Sequence, residues 1–208
     1  MKRLLVAAAF ALNALTAQAA VVTSIPGATA MPLPSQFVNA WQGAQTFAPG
    51  VVWTSTDEYA MAGSVSYYGF GYNGLWSGIP MIGSGDDVAG VMTLSFSSPI
   101  YGIVGLFNYS PSHGAASISA YDVTHTLIET KVLNFSTDRS LLNQGAYLGF
   151  LESSANISYF TMSGAYISGA DFSILGNPAP IPETETYAML LVGLGLVGFV
   201  VNGKRVRA

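Results

Sequence analysis

The chain contains no cysteine. Disulfide frameworks, thiolate zinc sites and thiol nucleophiles are therefore excluded. Charge is scarce too, at 9% of 208 residues, although half of all residues are hydrophobic. Histidine occurs only as His113 and His125, neither in a metal-ligand spacing. No Gly-x-Ser-x-Gly nucleophile pattern is present, so a serine–histidine pairing with Asp122 lacks its expected context. Before residue 187 no segment keeps a 3.6-residue apolar period for three turns, which speaks against helical architecture.

The charge that exists is unevenly placed. Between Ala20 and Ile181 the basic residues are Lys131 and Arg139, against nine acids, giving −7 where the whole chain carries −4. Nucleic-acid binding rests on neutralising phosphates, and this segment has nothing to do it with. The other five basic residues lie at the two ends.

At the start, Lys2 and Arg3 precede an apolar stretch from Leu4 to Leu15, followed by Ala17 and Ala19. That order predicts a signal peptide over residues 1–19, cut by signal peptidase between Ala19 and Ala20. About a dozen apolar residues are too few for a comfortable membrane span. Residues 20–181 number 162, enough for one self-sufficient core without disulfides.

Within 20–175 the pattern is β-rich. Ser24–Ala40 reads as an irregular lead-in. Candidate strands follow at Val51–Ser55, Ser64–Tyr72, Gly90–Ser97 and Ile100–Tyr109. Further ones lie at Ala116–Val123, Leu127–Phe135, Ala146–Glu152, Asn156–Met162 and Ala165–Ile174. In Met92–Phe96 apolar residues alternate with Thr93 and Ser95, the period of a half-buried strand. Some nine short strands separated by Gly, Ser, Asn and Pro clusters predict an all-β fold, an antiparallel jelly-roll-like sandwich.

Residues 176–186 form a Pro-rich spacer, 187–201 an uncharged apolar run, and 202–208 a stub carrying Lys204, Arg205 and Arg207. As a transmembrane helix the run spans roughly 22 Å, short of a ~30 Å hydrocarbon core. The basic cluster acts as a membrane stop and stays cytoplasmic by the positive-inside rule. Pro182 and Glu183, then "ETYAMLLVGLGLVGF", then the basic cluster resemble the PEP-CTERM sorting signal of Gram-negative bacteria. Thr184 stands where that motif usually has its second proline. The resemblance implies recognition and cleavage by the inner-membrane enzyme exosortase, after an inner-membrane intermediate, and delivery to the cell surface or exterior. The stretch "MTLSFSSPIYGIVGLFNYS" and those after it are similar to the β-rich bodies that commonly precede such tails.

Other constellations are weaker. Two Gly-x-Gly-x-x-Gly matches, at Gly69 and Gly193, lack the strand-to-helix setting of a dinucleotide site. Asp86 and Asp87, like Asp57 and Glu58, are loop acids that could bind Ca²⁺ without matching a calcium-loop consensus; no other cofactor is implied. Trp41, Trp53, Tyr67, Tyr68, Tyr72 and Trp76 crowd the first third. Aromatics serve core packing in any sandwich, but exposed beside Asn and Asp they stack on sugar rings. The expectation is a non-enzymatic exported surface or matrix protein, with a carbohydrate-binding module as alternative and extracellular polysaccharide as its partner.

Overall fold

The computed structural model describes residues 19–85 and 90–176. The chain divides into two compact units, Met1–Gly176 and Asn177–Ala208. The residues read as the sorting motif, apolar run and basic stub fall in the second unit and lie outside the described residues, as do residues 1–18 of the expected signal peptide. Among the described residues no helix is long and apolar enough to cross a membrane.

The described residues form sixteen strands. The first eight are short: β1 (Ala20–Val22), β2 (Thr29–Ala30), β3 (Val38–Asn39), β4 (Gln45–Ala48), β5 (Val51–Ser55), β6 (Met61–Ser64), β7 (Tyr68–Gly69) and β8 (Leu75–Trp76). The rest are β9 (Pro80–Gly83), β10 (Gly90–Ile100), β11 (Gly102–Tyr109), β12 (Ser117–Tyr121), β13 (Leu127–Val132), β14 (Ala146–Leu151), β15 (Ile157–Gly164) and β16 (Ile167–Leu175). One sheet runs β1-β14-β11-β16-β9-β6-β3, with β2 also on β16, and the other runs β13-β12-β15-β10-β5-β4. All named pairings are antiparallel.

The two sheets face each other across one aromatic core. Phe160 of the six-stranded sheet lies 6.0 Å from Phe107, 6.1 Å from Phe150 and 6.3 Å from Phe172 of the other. Alternation decides which residues go there. Met92, Leu94 and Phe96 of β10 are buried, while Thr93 and Ser95 between them face outward. Gly149 shows how tightly β14 meets β11: a Cβ there would fall 2.0 Å from the Ile103 carbonyl oxygen. Glu129 and Lys131 stand in register with buried Ala120 and Ile118, so edge strand β13 projects charges toward the gap between sheets. Inward charges of this kind discourage pairing with a foreign strand.

A second, smaller core lies on the outer face of the eight-stranded sheet. Tyr68, Phe70 and Trp76 fold over Met81 and Ala170 there. Of the expected strand Ser64–Tyr72, Ser64 ends β6, Tyr68–Gly69 form β7, and a 3-10 turn begins at Gly71. Gly71 takes φ of 62°, a left-handed backbone that continues no strand, and so ends β7. The lead-in is less irregular than its composition implies, since β2 and β3 each add two residues to the large sheet.

Candidate functional site

Strand β16 changes neighbours halfway along. Ser168–Ala170 pair with β9, whereas Ser173 and Ile174 pair with β2, and the Met31 N–H donates to the Phe172 carbonyl at 2.8 Å. On its other side the register against β11 slips, with Leu106 opposite Ala170 and Val104 opposite Ser173. Asp171 and Phe172 therefore oppose Gly105 alone, which is a β-bulge. A Cβ on Gly105 would meet the Phe172 ring at 2.7 Å, so the bulge needs glycine across from it. Phe172 enters the core, and Asp171 takes φ of 48° and points its carboxyl to solvent.

Tyr147 meets it there. Tyr147 and Ala170 are the two cross-strand neighbours of Leu106, so both flank the same outward position of β11. The Tyr147 hydroxyl donates to Asp171 Oδ2 at 2.5 Å. That hydrogen bond, with some burial and the carboxylate's charge, raises the Tyr147 phenol above its ordinary range. Tyr147 therefore stays a proton donor at any physiological pH.

The pair borders a depression of about 410 Å³ that Met31, Leu33, Ile79 and Pro80 also line. Leu106 and Ala170 form its floor. That volume falls within the roughly 300–1,000 Å³ of small-molecule sites. Asn143 also lines it and fixes the wall. Its amide receives the Ser77 N–H at 2.8 Å and donates to the Ser77 carbonyl at 3.1 Å, tying the β7–β8 hairpin to the loop before β14. The same loop is anchored from below. Buried Asn73 donates to the carbonyls of Tyr109 and Phe135, and buried Asn108 donates to those of Asn73 and Gln144.

The residues singled out from sequence are scattered elsewhere. Ala19 is buried and Ala20 opens β1 opposite Leu151. Pro182, Glu183, Thr184, Lys204, Arg205 and Arg207 lie outside the described residues, as do Asp86 and Asp87. Asp57 is 7% exposed and structural: its two carboxyl oxygens accept the N–H groups of Tyr59 at 2.8 Å and Gly85 at 2.7 Å. Glu58 is exposed. Among the six aromatics, Trp53, Tyr68 and Trp76 are buried, and Trp41, Tyr67 and Tyr72 are exposed. Tyr72 lies under the Arg139 guanidinium at 5.4 Å, and none of the three lines the depression. His113 contacts Ser110 and the Tyr166 ring, and His125 stacks on Tyr159 at 4.0 Å. Asp122 accepts bonds from Thr124 and Thr126 that hold its pKa below the usual carboxyl value, so it caps a turn.

No family model and no curated protein matches the chain. Two solved structures resemble parts of it. One is the His 62 mutant of the lectin binding domain of Lectinolysin complexed with Lewis b, at TM-score 0.33 and 9% identity, covering 47% of this chain and 71% of that one. The other is a Streptococcus pneumoniae fucose binding module, at TM-score 0.31 and 12% identity, covering 47% and 70%. At this level of likeness neither bears on the ligand of this chain.

Tyr147 and Asp171 were not singled out by their sequence context. The available signal was weak: an acid inside "SGADFSI", where a strand otherwise alternates, marks a bulge.

Proposed function

We propose that the chain is an exported, non-enzymatic carbohydrate-binding protein whose site is the depression at the β16 bulge. The carrying observation is the Tyr147–Asp171 pair standing over an apolar floor. A sugar ring has an apolar C–H face and a rim of hydroxyls. Leu106, Ala170, Ile79 and Pro80 suit the first, and the Asp171 carboxylate and Tyr147 hydroxyl suit the second. A backbone held at positive φ on a bulge is a common way to aim a binding group. The carboxylate disfavours acidic sugars, because two like charges would be desolvated together. Asp171 is the one carboxyl among the described residues lining the depression, whereas glycoside hydrolysis ordinarily takes two.

The scaffold reading is a jelly-roll-like sandwich. Its support is the interleaving of the last eight strands, β9-β16-β11-β14 in one sheet and β10-β15-β12-β13 in the other. Delivery follows from the ends of the sequence: a signal peptide cut by signal peptidase, then a PEP-CTERM-like tail read by exosortase at Pro182, Glu183 and Thr184. The destination is the cell surface or its extracellular matrix.

Titration against a panel of neutral oligosaccharides tests the site. Asp171→Asn and Tyr147→Phe should each weaken the best ligand, the first by roughly 10- to 100-fold, as expected for a charge-assisted hydrogen bond. Unchanged affinity in both would reject the site. The intact mass of protein recovered outside the cell tests delivery: a chain ending near Pro182 supports cleavage, and one ending at Ala208 rejects it.

A further inference from the structure

The outer face of the six-stranded sheet carries a row of hydroxyls in register across five strands. Thr130 faces Ser119, Ser119 faces Thr161, Thr161 faces Thr93, and Thr93 faces Thr54. A parallel row on one side runs Val132, Ser117, Ser163 and Val91, and one on the other side runs Leu127, Tyr121, Tyr159, Ser95 and Val52, so the hydroxyl row is bordered by exposed apolar residues. No Asp, Glu, Lys or Arg interrupts these rows, although the exported segment has a net charge of −7. Ser119 and Thr130 bond to each other at 2.8 Å. Among the described residues the hydroxyls of Thr54, Thr93 and Thr161 have no protein partner, and all three side chains reach solvent. With strands roughly 4.8 Å apart, the central row is about 19 Å long.

We propose that this face binds a single extended chain of a neutral polysaccharide, laid across the strands along the Thr130–Thr54 row. Repeating hydroxyls match a repeating hydroxylated ligand, each serving as donor and acceptor. Charge selects for neutrality: the face offers no cation to an anionic polymer, and the acidic domain around it repels one. Twist selects for a single chain. Neighbouring strands rotate by roughly 20–25°, so five strands cannot lie flat against a crystalline surface, whereas one flexible chain can follow them. In the flanking row Tyr121 and Tyr159 pair across strands, and the His125 ring stacks on Tyr159 at 4.0 Å. This surface is separate from the Tyr147–Asp171 depression and does not depend on it.

Affinity electrophoresis of the mature domain tests the proposal, in gels carrying hydroxyethyl cellulose, laminarin or alginate. Retardation is expected in at least one of the two neutral gels and not in alginate. Thr93→Val with Thr161→Val keeps β-branched residues at both positions and removes only hydroxyls, and it should weaken the interaction about tenfold. Thr54→Lys, at the exposed end of the row, should weaken it too and covers the case of a double variant that does not fold. Retardation that persists in Asp171→Ala and falls in the valine variant belongs to the sheet face rather than to the depression. Several outcomes would overturn the proposal: no retardation in either neutral gel, full retardation of the valine variant, or equal retardation in alginate. Loss in Asp171→Ala alone would place polysaccharide binding in the depression instead. Concentration-dependent sedimentation abolished by the valine changes would make the face a contact between copies.

Discussion

Replacing Asp171 by glycine and by alanine separates the backbone of the bulge from the chemistry it carries. A left-handed backbone costs an L-residue roughly 1–2 kcal/mol, and Asp somewhat less because its side chain bonds locally. At φ of 48°, glycine relieves that cost, while its extra freedom in the unfolded chain returns about 0.5–1 kcal/mol. Alanine retains the cost and has no local bond. Both variants lose the solvent-facing bond to Tyr147, worth about 0.5–1.5 kcal/mol. The glycine variant should therefore fall within about 1 kcal/mol of wild type, and the alanine variant about 1 kcal/mol below the glycine one. For a domain of this size that gap is a Tm difference of roughly 2–4 °C. Thermal melts followed by near-UV circular dichroism measure it, and oligosaccharide titration runs beside them. Both variants should lose sugar binding although one keeps its stability. An alanine variant as stable as the glycine one would refute the strain argument, and a glycine variant that binds normally would refute the site.

Asn73→Ala removes a buried amide that holds three backbone groups, and should lower stability by about 2–3 kcal/mol in urea denaturation; a loss under 0.5 kcal/mol would show that its bonds are dispensable. Glu152 is buried, its Oε1 has no partner, and burial followed by the nearby charge of Glu129 raises its pKa above 4.5. The folded state thus holds this proton more tightly than the unfolded one, so the group's contribution is complete below about pH 4.5 and declines as pH rises through the folded value. Glu152→Gln should therefore exceed wild type in stability at pH 7 and converge with it toward pH 4; an equal difference at both pH values excludes this origin. Gly149→Ala drives a Cβ into the Ile103 carbonyl and should abolish folding or cost more than about 3 kcal/mol, with normal expression and melting as the contrary result. If the loop acids Asp86 and Asp87 hold Ca²⁺, adding a chelator lowers the melting midpoint, and an unchanged midpoint removes that idea.

Period-2 alternation made β10 legible, with Met92, Leu94 and Phe96 turned to the core. β11, buried along nearly its whole length, was legible instead as an apolar run between turn residues, and β14 and β15 also lie close to their expected bounds. The two-residue strands carry no such period, and β7 gives way at Gly71, a positive-φ glycine that reads as a strand residue. The aromatics divided for the same reason. Trp53 alternates with Val52 and Thr54 and turns inward, whereas Trp41 and Tyr72 sit on 3-10 turns where alternation says nothing. Tyr147 and Asp171 are 24 residues apart and meet only because β14 and β16 flank β11 and β16 slips by one residue. The hydroxyl row was half visible: "TLS", "SIS" and "TMS" show outward Ser and Thr, but only strand register aligns them.

The position of β16 governs how the molecule can come into being. It is the last described strand and sits inside the larger sheet, between β11 and β9, with β2 sharing its edge. Until residues 167–175 arrive, the sheet is two fragments with open edges, and the bulge does not exist. Assembly must therefore wait for the end of the domain and close contacts of very long sequence separation, placing it among the slow folders, in milliseconds to seconds. A chain emerging from its N-terminus would be almost complete before any native sandwich could form. Ligand competence would then arrive in one cooperative step, and no truncated product would bind in part.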